Sequence, residues 1–229
     1  MASRTILIEM RVLAILSLFL SPAAQAGAFD HLAEELSRNP SLTDVSSWAG
    51  LELDVRYATS DNFTKRNVYG SYESCFLHVK AADMLKRSLA ALKARKPKWK
   101  LRVFDCLRPR RAQAILWSIV KGTPNERYVI NPAVGSVHNY GFAMDVSLSD
   151  ENGDEVDMGT SFDFFGALAE PKHEEESIRS GQLSPAQLAN RKVLRSAMKA
   201  GGFIPISNEW WHFDGLPGPE VRSKYKIVE

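Results

Sequence analysis

Ser136-Val137-His138-Asn139-Tyr140-Gly141-Phe142-Ala143-Met144-Asp145-Val146-Ser147-Leu148 is the segment around which the rest of the chain falls into place. Residues 141–148 read as a half-buried β-strand, and Gly141 permits a tight entry from the loop before it. Asp145 falls inside that strand, beside Ala143 and Val146. A carboxylate in such a place is expensive to bury without a partner. His138 lies in the loop seven residues earlier. A metal ion shared by the two side chains would neutralise the aspartate.

A third ligand comes from Glu209-Trp210-Trp211-His212, near the other end of the chain. On a regular strand Glu209 and Trp211 would share one face, and Trp210 and His212 the other. A bend or bulge there brings Glu209 and His212 toward one metal from different positions. Two imidazole nitrogens and one carboxylate oxygen leave a fourth position open for water, as catalytic zinc requires. Glu209 is then the natural general base for that water. The expectation is one zinc ion per chain, held by His138, Asp145 and His212. His173, in Lys172-His173-Glu174-Glu175-Glu176, reads as part of a solvated loop. Asp150, Asn152 and Asp154 echo the start of a calcium loop. Glu155 stands at its glycine position and the terminal glutamate is missing, so calcium is not expected there.

Between these motifs the pattern alternates without regular βαβ spacing. A short helix is expected near 29–38 and an extended piece at 51–57. An amphipathic helix is expected over 77–96, with Ala82, Leu85, Leu89 and Leu92 on one face and Pro97 at its end. A strand follows at 101–106, then a helix at 111–121 opened by Pro109. Ser184-Pro185 starts a helix that Gly201-Gly202 stops. Residues 203–206 and 210–214 read as the arms of a terminal hairpin. The sum is an α+β single domain with a largely antiparallel sheet flanked by helices.

Composition is that of a globular protein: 229 residues, 45% hydrophobic and 24% charged. The net charge of +2 is spread evenly, without a run of five like charges, so no nucleic-acid partner is expected. Arg4 and Arg11 precede the apolar run 12–20, and Ala24-Gln25-Ala26 follows as an A-x-A cleavage pattern. Residues 1–26 therefore read as a secretory signal peptide and 27–229 as the exported domain. The apolar run is too short for a membrane span of about 20 residues, so no stable anchor is expected. Export makes a periplasmic location the natural one. Cys75 and Cys106 are either a disulfide, as an oxidising compartment allows, or two small buried apolar side chains.

The pattern Ser-x-His-x-x-Gly-x-Ala-x-Asp at 136–145 followed by Glu-Trp-Trp-His at 209–212 resembles the D-alanyl-D-alanine dipeptidases. These are the vancomycin-resistance dipeptidase group of the zinc D,D-peptidases. The likeness runs from about Leu53 to Asp214. It includes Arg56-Tyr57-Ala58-Thr59, Asp105-Cys106-Leu107-Arg108-Pro109, Met158-Gly159-Thr160-Ser161-Phe162-Asp163, Asn190-Arg191 and Gly202-Phe203. It implies the zinc D,D-peptidase fold, shared with hedgehog, and hydrolysis of D-Ala-D-Ala to two D-alanines.

The same resemblance gives roles to single residues. His138, Asp145 and His212 match the zinc ligands and Glu209 the base. Arg108 matches the arginine that stabilises the oxyanion, and Asp105 is expected to orient it. Asp163 matches the acid that receives the substrate ammonium. Ser136 matches a hydroxyl near the substrate carboxylate, and Tyr57 a pocket wall. Taken alone, Arg108 would read as a helix-start surface arginine, Asp163 as a helix N-cap and Tyr57 as a core residue. The chain departs from the family pattern at Cys106, Leu107 and Lys65. Two rival readings share the motifs: a D,D-carboxypeptidase trimming longer peptidoglycan peptides, and a non-catalytic, zinc-stabilised wall-binding module. Asp163 argues against the first and Glu209 against the second.

Overall fold

The computed structural model describes residues 29–229; the expected signal peptide at 1–26 lies outside the described residues. Helix α1 (Leu32–Ser37) and strands β1 (Leu42–Asp44), β2 (Leu51–Leu53) and β3 (Phe76–His78) lead into the long helix α2 (Val79–Arg95). Strand β4 (Lys100–Asp105), helix α3 (Arg110–Val120) and strand β5 (Ala143–Ser149) form the middle of the chain. Helices α4 (Glu174–Arg179) and α5 (Pro185–Gly201), strands β6 (Ile204–Pro205) and β7 (His212–Asp214), and helix α6 (Gly218–Lys224) complete it.

Five strands form one sheet in the order β2-β4-β5-β7-β6. Only β2 and β4 run parallel; the other three contacts are antiparallel. β1 and β3 pair separately. This is the α+β, largely antiparallel architecture read from the sequence. The expected helix at 77–96 starts later, because Phe76–His78 extends to pair with β1. His78 then caps the helix, its Nδ1 accepting the Lys80 N–H at 3.2 Å. The strand expected to be half-buried is buried along its whole length. It is the middle strand of five, and the sheet is covered on both faces there. Residues 203–214 do pair as a hairpin, but β7 also pairs with β5, which draws the hairpin into the sheet. Helix α6 was hidden by its opening Gly218-Pro219, which look like breakers. A proline in the first turn costs no hydrogen bond.

Helix α2 buries Ala81, Ala82, Leu85, Ser88 and Leu92, and α5 buries Leu194, Ala197 and Met198. The two meet so closely that a Cβ on Gly201 would fall 2.4 Å from the Met84 carbonyl oxygen. Helix α5 is started by a reciprocal cap: the Gln187 N–H donates to Ser184 Oγ, and the Ser184 N–H to Gln187 Oε1.

Two features of the sheet build the site. Asp145 on β5 lies directly across from His212 on β7. Side chains so paired have Cβ atoms about 4.5–5.5 Å apart, within reach of one ion. On the other side, β4 pairs Val103 with Val146 but Asp105 with Asp145, so Phe104 is an extra residue in a bulge. The bulge brings Asp105 level with Asp145. Without it, an unbroken antiparallel register would set Asp105 opposite Met144.

Candidate active site

The three expected ligands converge. His138 sits in the short 3-10 turn Val137–Tyr140, just before β5. That turn ends at Gly141, whose φ of 71° suits glycine and whose position leaves no room for a Cβ, which would lie 2.8 Å from the His78 nitrogen. His138 Nδ1 donates to the Cys106 carbonyl at 2.6 Å, which turns Nε2 toward the site. Nε2 lies 3.2 Å from His212 Nδ1 and 3.3 Å from Asp145 Oδ1, and the last two atoms are 2.9 Å apart. Tetrahedral zinc with bonds of about 2.0–2.2 Å sets its ligands about 3.3–3.5 Å apart. The observed triangle fits that ion with a small expansion, and two nitrogens with one oxygen are a suitable donor set. Among the described residues no other group of three such side chains comes together.

The electrostatics fit a cation. Burial works against its charge, yet His138 and His212 hold Asp145 well below the usual carboxylate range. Burial likewise opposes a charged His212, but Asp214 and Asp145 push its pKa well above the ordinary value.

Glu209 is brought to the cluster by the bend that precedes β7, with its Oε2 4.0 Å from His212 Nδ1. The two tryptophans after it are the anchors of that bend. Trp211 is buried against Phe162, ring centres 5.4 Å apart, and Trp210 Nε1 donates to Thr160 Oγ1 at 2.7 Å. Burial pushes the Glu209 carboxyl up to about 7.

Arg108 is buried, not on the surface. Its Nε and one terminal nitrogen lie 2.7 and 2.6 Å from Asp105 Oδ2, and the Asp145 and Gln113 carboxyl and amide oxygens take the remaining edges at 3.3 and 2.9 Å. Burial disfavours its charge, but Asp105 holds the guanidinium firmly protonated. Asp105 is itself fixed by the Tyr69 hydroxyl at 2.8 Å, so it lies beneath Arg108 and acts through it.

Asp163 caps no helix. It adopts a left-handed φ of 60° in a loop, accepting from the Phe63 N–H at 3.2 Å and the Tyr57 hydroxyl at 3.3 Å. Burial raises its pKa well above the usual range. Tyr57, Ser136 and Asp163 join Arg108, Glu209 and the three ligands in lining one cavity of about 360 Å³. The loop bearing Asp163 is pinned by buried Arg191, which donates to the carbonyls of Met158 and Leu168 at 2.7 and 3.0 Å.

Three supporting residues were not expected. Asp214 accepts from His212 Nε2 at 2.9 Å. Gln113 bridges Arg108 to the Ile130 carbonyl, and Asn139 Nδ2 holds the Arg108 carbonyl at 2.7 Å. For Asp214 a signal existed: two positions beyond His212 on a strand, it must share that ligand's face. The decoys stay apart. His173 lies in a 3-10 turn against Glu170, 3.4 Å away. Asp150 closes a turn by accepting the N–H groups of Asn152 and Asp154. The two cysteines, left open by the sequence, form a disulfide with Cα atoms 5.3 Å apart.

Three converging side chains that could hold a metal, beside a buried glutamate whose pKa lies near neutrality, are the working arrangement of a single-metal peptidase. The sequence places the chain more narrowly. Residues 41–228 match the model of a peptidase family described as D-ala-D-ala dipeptidase, and the chain belongs to that family. It is 37% identical over 164 residues to the D-alanyl-D-alanine dipeptidase of Escherichia coli (strain K12), covering 72% of this chain and 78% of that one. It is 31% identical over 189 residues to that of Enterococcus faecium, with 72% and 85% covered. Against the Enterococcus faecalis enzyme of the same name identity is 28% over 187 residues, with 74% and 88% covered.

Proposed function

We propose that the chain hydrolyses D-Ala-D-Ala to two D-alanines with one zinc ion at His138, Asp145 and His212. The observation that carries this reading is the meeting of the ligand triangle, Glu209 and Asp163 in one cavity. Zinc bound there would polarise the peptide carbonyl and lower the pKa of water. Asp163 holds the substrate's α-ammonium, which in a dipeptide stands one residue before the scissile bond. Glu209 takes a proton from the attacking water and returns it to the leaving amine nitrogen. Arg108, kept charged and aimed by Asp105, neutralises the negative charge that develops on the carbonyl oxygen. Tyr57 closes the wall beside Asp163, and Ser136 offers a hydroxyl toward the substrate carboxylate.

A D,D-carboxypeptidase would face an acyl chain where Asp163 offers a carboxylate. A non-catalytic zinc module would have no use for a buried base. Digestion of D-Ala-D-Ala beside a pentapeptide ending in D-Ala-D-Ala, with and without zinc, separates the three. Zinc-dependent cleavage of the dipeptide with the pentapeptide intact is expected. Cleavage of the pentapeptide alone, or of neither, overturns the reading.

The same proposal extends to place. Arg4, Arg11, the apolar run 12–20 and Ala24-Gln25-Ala26 support export, and the Cys75–Cys106 disulfide suits an oxidising compartment. A periplasmic enzyme of this kind serves cell-wall dipeptide turnover. An exported protein whose intact mass still includes residues 1–26 would refute the export reading.

A further inference from the structure

Three arginines line the cavity: Arg108, Arg127 and Arg222. Arg108 is committed to Asp105, Gln113 and Asp145. Arg127 is turned to the Tyr128 hydroxyl and Glu170. Arg222 differs from both. On α6, it donates from Nε to the Gly135 carbonyl at 2.9 Å and, among the described residues, forms no ion pair with a carboxylate. Arg222 lines the cavity, and its two terminal nitrogens make no hydrogen bond among the described residues. The guanidinium packs against Gly218, one turn earlier: a Cβ there would lie 2.7 and 3.2 Å from its two terminal nitrogens.

We infer that Arg222 receives the C-terminal carboxylate of the substrate, and so confines hydrolysis to peptides whose scissile bond precedes one free terminal residue. The inference rests on the dipeptidase reading and deepens it. A dipeptide is a zwitterion. Its ammonium is met by Asp163, and its carboxylate lies one residue beyond the scissile bond, about 3.8 Å on by backbone dimensions. Ser136 lines the same cavity, and Gly135, the residue that tethers Arg222, directly precedes it. One hydroxyl donates one hydrogen bond, whereas a carboxylate taken from water offers two oxygens and a full charge. A guanidinium edge supplies the missing charge and a planar pair of donors. The cavity then carries one partner for each end of the substrate, the Asp163 carboxyl for the ammonium and the Arg222 guanidinium for the carboxylate.

The test compares D-Ala-D-Ala with its C-terminal amide on the zinc-loaded wild type, Arg222→Gln, Arg222→Lys and Gly218→Ala. Arg222→Gln should lose about 10–100-fold in kcat/KM on the acid, mainly through KM, and less than about 3-fold on the amide. Arg222→Lys, which keeps charge without the fork, should fall between. Gly218→Ala keeps the arginine but displaces it, and should also lose selectively on the acid. If Arg222→Gln is poorly folded, the other two variants carry the comparison. Equal losses on acid and amide would reduce Arg222 to a structural tether of Gly135 and overturn the inference, as would no loss on either. Wild type that cleaves neither compound overturns the dipeptidase reading itself, and this inference with it.

Discussion

His212 gives its Nε2 proton to Asp214, 2.9 Å away on the same strand. The pairing fixes the imidazole with Nδ1 toward His138 and Asp145, and makes it a stronger donor to a metal. Asp214→Ala should weaken zinc binding by about 10–100-fold, the usual cost of losing such a partner. Asp214→Asn, whose amide oxygen still accepts, should lose less. Competition with a chromophoric chelator reads both, and an unchanged affinity in the alanine variant would remove Asp214 from this role.

Zinc binding should release protons near neutral pH. Despite the cost of burial, Asp214 and Asp145 keep His212 protonated above its ordinary range, and burial raises Glu209 to about 7. A ligand nitrogen must lose its proton to bind, and a nearby cation favours the Glu209 carboxylate. Both groups therefore hold protons without metal and give them up with it. Apparent affinity should rise as pH rises through about 7. Calorimetry in buffers of different ionisation enthalpy counts the protons. A count of zero at pH 7 would contradict these charge states.

Glu209→Gln should keep zinc and lose about 10²–10⁴-fold or more in kcat, because the amide preserves size but cannot accept a proton. Metal content and turnover measured on the same sample make the case. Near-normal hydrolysis with zinc bound would assign the proton transfer elsewhere.

Reduction of the disulfide should destabilise the domain. The cross-link closes a separation of 31 residues, which loop-closure entropy values at about 3–4 kcal/mol. Urea unfolding with and without reductant tests this, and a shared midpoint would refute it. The Cys106 carbonyl also accepts the His138 proton, so weaker metal binding should accompany reduction.

The sequence was most legible where chemistry and local pattern coincide. Asp145 announced itself as a carboxylate in an apolar strand, and Ser184-Pro185 and Gly201-Gly202 marked both ends of α5. What stayed hidden depends on tertiary register. The Phe104 bulge that brings Asp105 level with Asp145 leaves no mark in β4. Gln113 and Asn139 look like ordinary polar residues until Arg108 is placed between them. Arg222 belongs to a helix whose first residues look like breakers, and its free nitrogens can be recognised only once Arg108 and Arg127 are seen to be committed. Leu77 and His78 of β3 fall inside the helix expected at 77–96 because Leu77 suits either state, and only pairing with β1 decides between them.

Two of the three candidate metal ligands stand on paired strands of the sheet, whereas Asp163, Ser136 and Arg222 stand on loops and a short terminal helix. The sheet thus holds two of the candidate ligands directly, and the residues proposed to meet the two ends of the substrate stand outside it. Such a scaffold is open to change in one part only. Exchanging residues around 163 or 218–222 would redirect the enzyme to peptides with other ends, while the hydrolytic step at the sheet went on as before.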